Sequence, residues 1–123
     1  MKKALVVDDS KAVREIEKRY LEELGFFVLE AENGEEALKV VKENPDISLI
    51  LLDWHMPVMN GYEFLKKLRE NPEYAEIKVM MVTTENQQKS VIDAIMAGAN
   101  EYLMKPFDKD MLETKIRYLF EGF

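Results

Sequence analysis

Ala4-Leu-Val-Val-Asp-Asp9 sets four apolar residues directly before two carboxylates. A short apolar run closed in this way reads as a buried strand ending at the rim of a sheet. The form returns in Leu49-Ile-Leu-Leu-Asp53, Val79-Met-Met-Val-Thr83 and Tyr102-Leu-Met-Lys105. A parallel sheet gathers the carboxyl ends of its strands at one rim, where open α/β sheets bind their ligands. Asp8, Asp9, Asp53, Thr83 and Lys105 would therefore share one crevice. Three carboxylates against one ammonium leave an excess of negative charge there, which calls for a divalent cation.

Between the apolar runs lie helical patterns, five alternations in all, without internal repeats or a low-complexity linker. Val13, Ile16, Tyr20 and Leu24 recur at steps of three and four, one face of a first helix, and Gly25 follows as a helix end often requires. Phe26 to Leu29 reads as the second strand. Asn33 and Glu36 resemble a capping box opening a second helix, whose Ala37, Leu38 and Val41 face inward, and Asn44-Pro45 closes it. After Asp53 comes an elaborate loop, Trp54-His-Met-Pro-Val-Met-Asn60, then a third helix capped by Asn60 with Glu63 and carrying Leu65 and Leu68 inward. Asn71-Pro72 ends it, Ile77 to Val82 form the fourth strand, and Gln87 to Ala97 a fourth helix stopped by Gly98. Of its Val91, Ile92, Ile95 and Met96, most are expected in the core and one or two on the surface. Asp108 caps a last helix carrying Leu112, Ile116 and Leu119. Five βα units with right-handed crossovers give a three-layer, doubly wound α/β fold with a five-stranded parallel sheet.

Composition narrows the function. At 123 residues the chain fits one domain, and its 47% hydrophobic and 33% charged content is that of a globular protein. With 17 basic and 24 acidic residues the net charge is −7, and no basic stripe is visible, which disfavours nucleic acid and anionic membranes. The absence of cysteine removes disulfides and thiolate chemistry, and the single histidine, His55, excludes a multi-histidine metal site. The apolar stretch behind Met1-Lys-Lys3 stops at Asp8, too short for a signal peptide, and no run approaches a membrane span of ~20 residues. The expected location is the cytoplasm.

Asp8-Asp9, Asp53 within Leu52-Asp-Trp-His-Met-Pro57, Gly61, Val82-Thr83 and Lys105-Pro106-Phe107 together resemble the receiver domain of two-component response regulators. The resemblance spans essentially the whole chain, 1–123, with no output domain. Asp-Trp before His-Met-Pro, and Ala97-Gly-Ala99 ahead of Tyr102, make it most similar to the single-domain, CheY-like members. It implies strand order 2-1-3-4-5, the flavodoxin-like arrangement, which sets the Asp8-Asp9 and Asp53 strands side by side.

The resemblance also implies roles. Asp53 accepts a phosphoryl group from the phosphohistidine of a kinase, and needs no general base because a carboxylate is ionised at neutral pH. Mg²⁺ (or Mn²⁺) is held by Asp9, Asp53 and the main-chain carbonyl of His55, with Asp8 acting through water. Lys105 supplies a second positive charge and Thr83 a hydroxyl donor. Thr83 and Tyr102 pass the change to a face made by the fourth helix, fifth strand and fifth helix, where a separate effector protein binds a monomeric regulator, with chemotaxis the implied setting. The Lys105-Pro106 bond is cis in the family. His55 and Glu85 flank the path of the hydrolytic water and tune the lifetime of the phosphorylated state.

Singly, these residues have plainer readings: Asp8, Asp9 or Ser10 as a helix cap, Asp53 as a turn former, Thr83 as a strand residue, Lys105 as a solvated end, His55 as an exposed loop histidine. Three other functions compete. A phosphorelay intermediate or phosphate sink would use the same site. A flavodoxin-like cofactor binder needs a hydroxyl- and Gly-rich loop where this chain has Asp8-Asp-Ser-Lys11, and an aspartyl phosphatase needs a substrate cap for which there is no insertion. The receiver would be no enzyme beyond catalysing its own phosphorylation and dephosphorylation.

Overall fold

The computed structural model describes residues 1–54, 56, 59–84 and 88–120. Strand and helix alternate as β1 (Lys3–Val7), α1 (Lys11–Glu23), β2 (Phe27–Ala31), α2 (Gly34–Glu43), β3 (Ile47–Asp53), α3 (Gly61–Glu70), β4 (Lys78–Thr84), α4 (Gln88–Ala97), β5 (Glu101–Lys105) and α5 (Lys109–Leu119). A single 3-10 turn, Pro72–Tyr74, precedes β4. All strand pairs are parallel and the order is β2-β1-β3-β4-β5, so β1 and β3 are adjacent and interior.

The sheet is buried on both faces because side chains alternate along each strand. Leu5, Val7, Ile50, Leu52, Val79 and Met81 point to one side, where Ala37 and Val41 of α2, Phe64, Leu65 and Leu68 of α3, and Ala94 of α4 cover them. Ala4, Val6, Leu49, Leu51, Met80 and Val82 point to the other, against Leu21 of α1 and Leu112 and Ile116 of α5. That alternation explains why the strands read as continuous apolar runs rather than as every second residue.

The expected caps form. Asn60 and Glu63 make a full capping box at α3, Asn33 accepts from Glu36 N at α2, and Asp108 accepts from Met111 N at α5. Gly25 and Gly98 adopt φ of +99° and +115° at the ends of α1 and α4, a backbone region that suits glycine.

Two helix faces differ from the sequence reading. On α1, Ile16 is 46% exposed while Glu17 is 1% exposed, so the buried stripe runs through Val13, Glu17, Leu21 and Leu24. On α4 most of the apolar residues are outside the core: Ile92 is 64%, Ile95 52% and Met96 84% exposed. The physical reason is a narrow seam. α4 meets the core through Val91, Ala94 and Ala97, three small or branched residues at steps of three, and packs beside α3. Gln87, the expected start of that helix, lies outside the described residues.

Candidate functional site

At the carboxyl rim, β1 delivers Asp8 and Asp9 while β3 delivers Asp53. Carboxylate oxygens from all three lie within 4.8 Å of one another. Asp8 and Asp53 are buried and Asp9 is exposed. β5, two strands from β3, sends Lys105 across the rim, with Nζ 3.1 Å from Asp8 Oδ2 and 3.6 Å from Asp53 Oδ1. Residues far apart in sequence thus converge because parallel strands end together.

Local hydrogen bonds fix these groups. Asp8 Oδ1 accepts from Ser10 N at 2.8 Å, and its main-chain carbonyl accepts from Arg14 Nη1 at 2.6 Å. Arg14 in turn donates to Glu30 from its Nε at 3.1 Å, tying β1, α1 and β2 together. The cap of α1 is Ser10, whose Oγ accepts from Val13 N at 3.3 Å. The helix therefore does not consume the carboxylates of Asp8 and Asp9, which stay at the rim. Gly61 holds the first turn of α3 against the acceptor strand: a Cβ there would stand 2.7 Å from Asp53 O and 3.0 Å from Trp54 Cα.

Burial works against the charge on Lys105, but Asp53, then Asp8 and Glu17, outweigh it and hold its pKa above the ordinary lysine value. The ammonium is therefore charged whenever the carboxylates are. Hard oxygen donors this close, with net negative charge even after Lys105 is counted, fit a small divalent cation. Thr83 is buried near the end of β4 and donates from Oγ1 to Thr84 O at 3.4 Å. Tyr102 is half-buried on β5, packed against the α2–α3–α4 face of the core, with Lys115 Nζ 4.7 Å from its ring centre. The Lys105-Pro106 bond is cis. His55 and Glu85 lie outside the described residues.

The family of response regulator receiver domains matches residues 4–117. The chain belongs to the response regulator receiver family. Its receiver sequence is 45% identical over 115 residues to a chemotaxis protein CheY homolog of Campylobacter jejuni, an alignment covering 93% of this chain and 88% of that one. It is 44% identical to the chemotaxis protein CheY1 of Helicobacter pylori, over 93% of each. Among solved structures it superposes on Vibrio cholerae chemotaxis protein CheY4 with a TM-score of 0.91, at 32% identity and covering 98% and 99% of the two chains. This receiver is thus a homologue of CheY-type regulators of two-component signalling. Among the described residues, no helix is long and apolar enough to cross a membrane.

One residue beside the site escaped the sequence reading. Glu17 lies buried under the rim, and among the described residues its Oε1 has no hydrogen-bond partner. Burial foremost, then the charge of Asp8, pushes its pKa up to about 8; Lys105 opposes this and Asp53 adds to it. The signal was present: Glu17 falls inside the arc drawn by Val13, Leu21 and Leu24 at helical spacing, and Ile16 falls at its edge.

Proposed function

We propose that this receiver accepts a phosphoryl group on Asp53 and uses it to switch the surface formed by α4, β5 and α5. What carries the reading is the convergence of Asp8, Asp9 and Asp53 with the Lys105 ammonium at the end of parallel strands. An Asp53 oxygen attacks phosphorus, an O–P bond forms, and the donor's P–N bond breaks with its electron pair going to the imidazole nitrogen of a histidine kinase. Phosphoryl transfer asks mainly for positioning and charge neutralisation.

Lys105 moves its contact from the carboxylates to a phosphoryl oxygen, leaving Asp8 with the Ser10 amide. Thr83 turns its hydroxyl from Thr84 O toward another phosphoryl oxygen. Mg²⁺ or Mn²⁺, held by Asp9, Asp53 and the carbonyl of residue 55 with Asp8 behind them, would offset the repulsion between acceptor and incoming phosphoryl group. His55 and Glu85 would tune how long the phosphoryl group survives, and His55→Ala should alter the dephosphorylation rate with little change in Mg²⁺ affinity. An unchanged rate removes His55 from that role.

Movement of Thr83 makes room for Tyr102, whose ring has an apolar body and a polar tip and is stable in either position. The equilibrium between the two arrangements shifts toward the inward one. Exposed Ile92, Ile95 and Met96 on α4 and Met104 on β5 then offer an apolar docking patch to a separate effector protein. The regulator acts as a monomer in the cytoplasm, in chemotaxis as its relatives are named. Thr83→Ala should leave Asp53 phosphorylatable and weaken effector binding; undiminished binding by the phosphorylated variant counts against the switch.

The test of the acceptor uses Trp54, buried next to Asp53 and packed edge-on against Tyr62 at 5.8 Å. Its fluorescence is followed on adding Mg²⁺ and then beryllofluoride, an acyl-phosphate mimic. A Mg²⁺-dependent, saturable change that is lost in Asp53→Asn is expected. A folded wild type with no response overturns the proposal.

A further inference from the structure

Tyr102 is gripped by two residues that have no part in the acceptor site. Its ring leans on the α2–α3–α4 side of the sheet, whereas α5 packs on the opposite side through Leu112 and Ile116. The two still meet, because β5 stands at the end of the strand order and Lys115 of α5 reaches around it. The Lys115 Nζ lies 4.7 Å from the ring centre, within the ~6 Å over which an ammonium is drawn to an aromatic face.

Glu101 fixes the ammonium there. Its Oε1 accepts from Lys115 Nζ at 3.1 Å and from the Tyr102 backbone amide at 3.0 Å. One carboxylate oxygen thus ties the lysine head to the backbone of the residue whose ring it covers. The Lys115 and Glu101 side chains are only 29% and 21% exposed, so solvent screens this pair less than a fully exposed one. The contact also has a direction. Tyr102 lies beside Met81 of β4, and an inward turn takes its ring toward that strand and away from the sheet margin that Lys115 reaches. The ammonium, held by Glu101, stays behind. Only the outward ring keeps the contact.

We infer that Lys115, anchored by Glu101, is a positioning residue that holds Tyr102 outward and so sets the threshold of the switch. This regulation rests on the proposed movement of Tyr102, to which it adds the resting bias. Loss of the ammonium removes a stabilisation that the inward arrangement lacks. The equilibrium then shifts inward by about fivefold, the scale of one cation–π contact at a half-exposed site. A ligand that prefers the inward arrangement binds more tightly as a result.

The test measures beryllofluoride affinity of the full chain in saturating Mg²⁺, through Trp54 fluorescence. Lys115→Met keeps the length of the side chain without its charge, and should tighten binding about fivefold while the inward arrangement is the minor one. A direct electrostatic effect has the opposite sign, since removing a positive charge weakens binding of an anionic mimic. Lys115→Arg retains the charge, the pairing with Glu101 and the attraction to a ring face, and should behave as the wild type. In a Tyr102→Ala background, Lys115→Met should give no gain, because the ammonium has no ring to hold. Equal affinities in wild type and Lys115→Met, or the same gain with Tyr102→Ala present, overturn the inference and leave the acceptor site standing. A folded wild type without any response overturns the acceptor site and the inference together. Should Lys115→Met fail to fold, Lys115→Gln takes its place with the same expectation.

Discussion

A carboxyl that moves from the usual 4.5 to about 8 on folding takes up a proton in the folded state, and Glu17 is such a group. Between those values the folded chain binds more protons than the unfolded one, so stability from this group is full below about pH 4.5 and is lost as pH rises through about 8. Relative to Glu17→Gln, the wild type should lose up to a few kcal/mol across that window, read as a falling urea midpoint difference. Parallel midpoints in the two proteins would show that the carboxyl does not titrate on folding. Glu17→Leu removes the buried acceptor without leaving a hole, and is expected to stabilise by about 1–3 kcal/mol at neutral pH. Lys105, unlike Glu17, has a partner of opposite charge, with its Nζ 3.1 Å from Asp8 Oδ2.

The start of α3 shows what an element contributes to the site. Asn60 and Glu63 satisfy each other's backbone amides, and Asn60→Ala should cost about 1 kcal/mol in unfolding experiments with the acceptor site intact. Gly61→Ala is a different lesion. The added methyl would press on Asp53 O and Trp54 Cα, backbone atoms that cannot rotate away. It is expected to cost about 1–3 kcal/mol and also to slow labelling of Asp53 by a small-molecule phosphodonor. Normal labelling in Gly61→Ala would mean the acceptor strand tolerates displacement. Gly25 makes the opposite case: nothing stands within 4 Å of its Cβ position, so its φ of +99° alone makes it a glycine. Arg69 of α3 works between elements, donating to the carbonyls of Gly98, Tyr74 and Ile77 and so pinning the end of α4 and the entry to β4.

Across the whole molecule the acids gathered at one rim should make stability respond to divalent cations. Mg²⁺ at about a hundred times its dissociation constant is expected to add about 2.7 kcal/mol, seen as a Tm rise of several degrees that a chelator reverses and Asp9→Ala abolishes. No rise in the wild type would count against a metal at that rim. The sequence by itself determined the alternation of five apolar runs with five helical patterns, and with it a parallel sheet whose strand ends carry Asp8, Asp9, Asp53, Thr83 and Lys105. These were legible because side-chain periodicity and strand polarity are local properties of the chain. Packing decided the rest. Ser10 rather than either aspartate caps α1, Lys105 approaches Asp8 more closely than Asp53, and α4 leaves Ile92, Ile95 and Met96 outside because it joins the core through Val91, Ala94 and Ala97. Helical spacing allows a face to rotate by one residue at little cost in pattern. Contact with the sheet set that rotation in α1, turning Ile16 outward and burying the Glu17 carboxyl beneath the site.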